Sequence, residues 1–523
     1  MYIQPQTNIK LLHNVPLDDT YDHTIYFANA SAQSTYFASL TKYNLVNYTY
    51  QRVQKGVARV GYKADLLYDC NYMMFQNTAF GSKWFYAFIT KVEYVNNECS
   101  DVYFEIDVMQ TWFFDFELEH CFVEREHCVD DTIGEHIEPE SVATGEYVYN
   151  SYQEVVYLDD LVTIVAVNEH DTGGNSGQIY DGIYGAATLY VYNADDYLSI
   201  NQLIYSHRTD PESIIAIYCL PKFCIGNSLP SDHRINNRPS SRHATVELPK
   251  IQEGMMLDGY VPKNNKLYTY PYNFINVDNS NGSSMILRYE FFTNLTPTLQ
   301  IWGTVNQPVQ IQCRPCEYKN VTGSVDNHKK TLNSENISLT NFPICTWSVD
   351  SYQAWISQSA VPNFISASGS LINAATGTGW YTTGLTRGAS ILHTGVSAVS
   401  SVLQDFYKAS IAADITKGST NCGSVNCTKG RQQFYYGRCS VDKRMARIID
   451  DYFNMYGYAT NRVKIPNTHS RPHWNYVKTI GCCITGSIPA DDMRKICEIH
   501  DNGITYWKNG YEIGGYNLDN RPT

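Results

Sequence analysis

Polar and apolar positions alternate with a period of two along much of the first ~150 residues. In Val102–Met109, Val102, Phe104, Ile106 and Val108 fall on one side, and Glu105 and Asp107 on the other. That is the pattern of a half-buried strand. The run Trp84–Val95 is also strand-rich, and Asn96–Asp101 supplies turn residues between the two, so a hairpin is predicted. Phe113 to Val123 continues the pattern. Between 150 and 350 short strand-like runs recur: Leu161–Val167, Thr188–Tyr192, Ile214–Tyr218, and Leu299–Ile301 with Val309–Cys313 on either side of the turn signal Asn306–Pro308. Their loops are rich in Gly, Asn and Asp and show no fixed repeat. This half reads as one or two β-barrels or sandwiches.

The alternation stops near Asp350. From there to Asp405 the chain carries one formal charge, Arg387, in a background of Gly, Ser, Thr and Ala. Isolated large apolar residues punctuate it: Trp355, Phe364, Ile365, Leu371, Ile372, Trp380, Leu385, Ile391 and Leu392. Toward its end Leu392, Val396, Val399, Leu403 and Phe406 take helical spacing. A globular surface of that length would carry charges of both signs, and a core would be richer in Leu, Ile, Val and Phe. A transmembrane helix needs about 20 consecutive apolar residues, and polar residues interrupt every such window here. The composition fits a segment that leaves water under some conditions and tolerates it under others. A buried helical hairpin is the alternative, because small residues let helices approach closely in either setting.

After Gly430 ordinary patterning returns. Ser440–Tyr456 predicts an amphipathic helix with Ser440 as N-cap. Met445, Ile448, Ile449, Tyr452 and Met455 or Tyr456 form its apolar stripe, and Gly457 ends it. A short helix is predicted over Ala490–Glu498. The expected fold is therefore mainly β and multi-domain. Its parts are 1–150, a middle β region 151–350, a hydrophobic, partly helical insertion 351–429, and a C-terminal part 430–523 with one or two short helices.

The totals narrow the function. The 523 residues hold 43% hydrophobic residues, enough for several domains. The 42 tyrosines against 20 phenylalanines suit subunit interfaces, and equally suit strands. A net charge of −13 argues against a protein built to grip nucleic acid, yet is compatible with a passage through which phosphates slide. The first ten residues hold no basic region followed by an apolar run. Synthesis in a reducing cytoplasm is therefore expected, with most of the 15 cysteines as free thiols.

Specific chemistry is hard to find. Cys313-Arg-Pro-Cys316 has the gap of a zinc or redox pair, but Cys219/Cys224 and Cys422/Cys427 do not match its spacing. His120 and His127 have opposite parity on a strand and would leave opposite faces. Glu135, Glu138 and Glu140 cluster before a strand, and a glycoside hydrolase needs two carboxylates across a cleft. No nucleophile elbow, phosphate loop or His-Glu-x-x-His is present. No catalytic residue, metal or cofactor is expected, and the chain reads as a non-enzyme.

Several strings resemble the distal tail knob, or tail tube, proteins of small short-tailed bacteriophages of the Salasmaviridae type. They are Ile25-Tyr-Phe27 with Gln33 and Tyr36-Phe37, Phe104–Trp112, Phe122–His127, Tyr456–Asn467, Trp474–Val477 and Ile488–His500. The resemblance covers the first ~130 and last ~90 residues. It implies a hexamer at the distal end of the virion tail, with β-rich tube walls made from both chain ends. By the same resemblance, phage double-stranded DNA passes through the lumen without sequence-specific binding, and a proximal tail or collar tube adjoins the ring. Long hydrophobic loops plug the tube, then enter the host cytoplasmic membrane as a pore during ejection. The charge-poor segment stands where that loop belongs, so its thirteen apolar residues named above are the candidate membrane-active site. Two rival readings are a tail-associated cell-wall hydrolase and a receptor-binding adhesin.

Overall fold

The computed structural model describes residues 6–48, 56–78, 81, 83–155, 161–168, 178–180, 183–185, 188–193, 196–207, 213–226, 228–235, 243–279, 282–293, 296–305, 309–319, 335–340, 342, 344–346 and 433–522. They form two compact units. The first comprises Met1–Glu146, Glu253–Tyr272 and Val441–Thr523, and the second Tyr147–Gln252 and Asn273–Ser440. The fold is mainly β.

In the first unit six antiparallel strands run in the order Thr41–Tyr48, Thr7–His13, Cys70–Asn77, Phe85–Asn96, Cys99–Ile106, Val57–Val60. Their alternation feeds two cores. Ile9, Leu11, Met73, Ala87, Val102 and Phe104 join one cluster. Tyr72, Met74, Tyr86 and Phe88 join another with Phe37, Met109, Ile496 and Ile499. The predicted hairpin is present, with Val92 opposite Val102 and Tyr94 opposite Ser100.

A second sheet has the order His23–Ile25, Ile504–Trp507, Trp474–Ile480, Cys121–Glu126, Tyr458–Lys464. It combines two strands from the N-terminal part of the chain with three from the C-terminal part. Its first pair is parallel and the rest antiparallel.

The second unit gathers three four-stranded sheets. Their orders are Tyr147–Glu154, Tyr435–Val441, Asn273–Asp278, Ser284–Leu287; Thr188–Asn193, Leu161–Val167, Ile214–Pro221, Ile344–Thr346; and His243–Glu247, Thr298–Gly303, Ile311–Pro315, Ile337–Leu339. Residues from all three, including Val162, Ile164, Ile275, Val277, Ile301 and Ile311, share one core. The strand readings at 161–167, 188–192, 214–218 and around 300 and 311 hold.

Three local readings are corrected. The strand at 102–109 ends at Ile106, because the Asp107 carboxylate accepts from the Gln110 N–H and caps a short helix, Val108–Trp112. Asp107 is therefore buried rather than on a wet face. The run from Phe113 to Val123 divides into Phe116–Leu118 and the start of Cys121–Glu126. The helix predicted from Ser440 begins at Lys443, with Asp442 as N-cap and Ser440 buried at the end of a strand. Its buried face is Ala446, Ile449, Asp450, Phe453 and Asn454, while Ile448 is 49% exposed. Hydropathy misplaced that stripe because two polar residues on the inner face are satisfied by hydrogen bonds. Gly457 does end the helix, at φ 65°. A Cβ there would collide with the Glu126 backbone, so a position favouring glycine also requires it. The C-terminal helix runs from Ala490 to Asn502.

Candidate functional site

The strand Cys121–Glu126 lies between two others and continues into His127, so Arg125, Glu126 and His127 are all buried. Buried charges need partners, and here the fold supplies them. The Glu140 carboxylate accepts from Lys266 Nζ at 2.5 Å, from the Arg125 guanidinium and from the Ala459 N–H at 2.8 Å. Lys266 also donates to the Glu138 carbonyl, and Arg125 to the Gly457 carbonyl. Burial pulls the Lys266 ammonium below its usual pKa, against the opposing pull of Glu140. Glu126 accepts from Lys464 Nζ at 2.5 Å and from the Asn467 N–H at 2.8 Å. His127 Nδ1 accepts from the Tyr476 N–H at 2.8 Å, and its Nε2 lies 3.1 Å from the Asn454 carbonyl, so Nε2 carries the proton. Burial lowers its pKa to about 3 and keeps the ring neutral.

Two further carboxylates fasten the segment Glu253–Tyr272. Asp450 accepts from Tyr260 OH, the Lys263 N–H, and the backbone and side chain of Asn264. Asp131 accepts from Tyr458 OH and the Asn265 N–H. Burial raises both acids. The arrangement clamps a crossing segment to a helix and a sheet. Of the acidic trio flagged in the sequence, Glu140 is thus consumed as a counter-ion. Glu138 contributes its carbonyl, with its carboxylate 4.0 Å from Arg462, and Glu135 is exposed. Sequence reasoning missed Lys266, whose partner lies more than a hundred positions away in the chain.

The remaining candidates are dispersed. His120 is exposed and His127 buried. Cys313 sits in the core of the second unit, where burial raises its thiol pKa, and Cys316 is half-buried. Among the described residues no three His, Cys, Asp or Glu side chains are placed to hold a metal. Trp355, Phe364, Ile365, Leu371, Ile372, Trp380, Leu385, Ile391, Leu392, Val396, Val399, Leu403 and Phe406 lie outside the described residues, as do Cys422 and Cys427. The strands nearest that segment, Ile344–Thr346 and Tyr435–Val441, stand in two sheets of the second unit. Among the described residues no helix is long and apolar enough to cross a membrane.

One surface in the first unit stands out. Across the five-stranded sheet, Phe122 is in register with Val463 on one side and Ile480 on the other. All three side chains face solvent, at 36%, 68% and 57% exposure. Ile465 extends the strip, and a Lys478–Glu124 pair at 2.8 Å borders it. Side by side on one sheet face, these exposed apolar residues form a candidate contact surface.

The profile described as "Bacillus phage phi29, Tail knob protein gp9, C-terminal domain" matches residues 236–521, more than half of the chain. The chain belongs to the tail knob protein gp9 family. Residues 5–117 also match the family described as "Caudoviral major tail protein N-terminus". Similar relatives are the tail knob proteins gp9 of Bacillus phage PZA and Bacillus phage phi29. Each is 26% identical to this chain, with 98% of both chains covered. The solved structure of the bacteriophage C1 tail knob protein, gp12, shares the fold at a TM-score of 0.64 and 15% identity, over 97% of this chain and 98% of that one. This tail knob family member is a structural component of the phage virion, located at the tail and assembled with other tail proteins.

Proposed function

We propose that the chain forms the distal tube of a short phage tail as a hexameric ring. In this reading residues 1–150 and 430–523 build the wall, and 151–350 form the middle β domain or domains. Double-stranded DNA passes through the lumen without sequence-specific contacts, and a proximal tail or collar tube adjoins the ring. The segment 351–429 plugs the tube and then penetrates the host cytoplasmic membrane during ejection.

The observation that carries this reading is the single formal charge between Asp350 and Asp405. Each Asp, Lys or Arg at mid-membrane costs about 2.5–3.5 kcal/mol on insertion scales, so a segment with almost none can exchange a protein shelter for lipid. Backbone groups then have to be satisfied within helices or closed assemblies. Ser and Thr hydroxyls suit the wet side of a pore. The net charge of −13 agrees with a lumen that repels phosphate.

The test is dye release from liposomes of bacterial lipid by the purified full-length protein at neutral and acidic pH. Leakage is expected, and a triple variant Leu371→Asp, Ile372→Asp, Trp380→Asp should abolish it. Wild-type protein that leaves the dye enclosed at both pH values refutes membrane penetration.

A further inference from the structure

Three thiols from separate stretches of the first unit meet beside the end of the strand Trp474–Ile480. Register places Ile480 opposite Phe122, so Cys121 lies alongside the exit of that strand. Gly481 then turns the chain, at φ 66°. Without that left-handed residue, Cys482 would continue the alternation away from Cys121. The turn is gripped by one carboxylate. Asp501 accepts from Thr479 Oγ1 at 2.7 Å, the Cys482 N–H at 3.0 Å and the Gly481 N–H at 3.2 Å. Asp501 belongs to the helix Ala490–Asn502, and Cys497 lies four residues earlier on the same helical face. The grip that holds the turn therefore also brings Cys497 to Cys482. Cys482 and Cys497 pack against the same core cluster, and both Cys497 and Cys121 act electrostatically on the Cys482 thiol. All three are free thiols in this structure.

We infer that Cys482 and Cys497 form a disulfide when the folded protein meets dioxygen, stapling the helix Ala490–Asn502 to the turn after the strand Trp474–Ile480. The two S–H bonds break and one S–S bond forms. The two protons and two electrons released reduce dioxygen to hydrogen peroxide. The Asp501 hydrogen bonds hold the turn that carries Cys482 to the helix that carries Cys497. Burial raises the pKa of both thiols. The reactive thiolate is therefore scarce at neutral pH, and the bond forms slowly there and faster in alkali. A closed loop between the two positions restricts the unfolded chain, so the oxidised protein is the more stable form.

The experiment uses the full-length protein purified in reductant and then moved to air-saturated buffer. Free thiols are alkylated under denaturing conditions at intervals and mapped by mass spectrometry of the digest. The expected result is loss of alkylation at Cys482 and Cys497 together, and recovery of the two peptides as one linked species that reductant separates. The oxidised protein should also melt a few degrees above the reduced one, and Cys497→Ser should abolish that difference. Continued full alkylation at both positions after prolonged exposure overturns the inference, as does a link mapping from Cys482 to Cys121 or Cys483. The readout on wild-type protein holds whether or not the variant folds, and it is independent of any membrane activity.

Discussion

Replacing Glu140 by Gln should damage the first unit more than replacing Lys266 by Met. The side chains are 1% and 2% exposed, and their charged atoms are 2.5 Å apart. Removing one partner from a buried pair typically costs about 3–5 kcal/mol, because the other charge is left uncompensated. Glu140→Gln strands two cations at once, Lys266 and Arg125, the latter also buried. Lys266→Met leaves Glu140 with Arg125 and the Ala459 N–H, and it removes an ammonium that burial already disfavours. The lost charge-assisted bond is worth about 1.5–3 kcal/mol, partly offset by the relief of desolvation, so a net cost of about 1–2 kcal/mol is expected. Urea unfolding gives each difference as a midpoint shift at constant slope. Hydrogen exchange in the helix Lys443–Tyr456 and the strand Tyr458–Lys464 assigns the loss to this unit. If Lys266→Met costs as much as Glu140→Gln, or if Glu140→Gln costs under about 1 kcal/mol, the cluster is not organised around the carboxylate.

Two other outcomes are expected. Asp107, buried with Tyr72 OH at 2.8 Å, has its pKa pushed up to about 6 by burial. The folded state therefore binds a proton that the unfolded chain lacks between about pH 4 and 6. That contribution, about 3 kcal/mol at most, is present below the ordinary carboxylate range and lost as pH rises through 6. His127 has the opposite sign, since its depressed pKa gives stability above the ordinary imidazole value that is lost as pH falls toward 3. Asp107→Asn keeps a good N-cap and removes the compensating term, so its stability between pH 6 and 4 should fall more steeply than wild type in urea titrations; an unchanged slope refutes this assignment. On the exposed strip, Val463→Lys should leave the melting temperature nearly unchanged, because the side chain is 68% exposed, while lowering the oligomer fraction in analytical ultracentrifugation. Wild-type levels of assembly would exclude the strip as a contact between copies.

The sequence by itself determined the local elements whose burial is one-sided and whose ends carry their own signals. The hairpin around Asn96, the strands at 161–167 and 188–192, and the glycine stop at 457 were legible because period, turn residues and backbone freedom are properties of short windows. The charge-poor segment was legible in the same way, as an absence of charge over a long stretch. Partners distant in the chain were not. Nothing near Glu140 announces Lys266 or Arg125, and nothing near Asp450 announces the segment Glu253–Tyr272 that it holds. The Ser440 helix was misread for that reason, since Asp450 turns inward only once Tyr260, Lys263 and Asn264 supply its donors. The exposed row Phe122, Val463 and Ile480 likewise exists only once strands from both ends of the chain are in register. Tertiary structure decided these features because a buried charge or a sheet-wide surface takes its energy from groups that sequence separation hides and packing brings together.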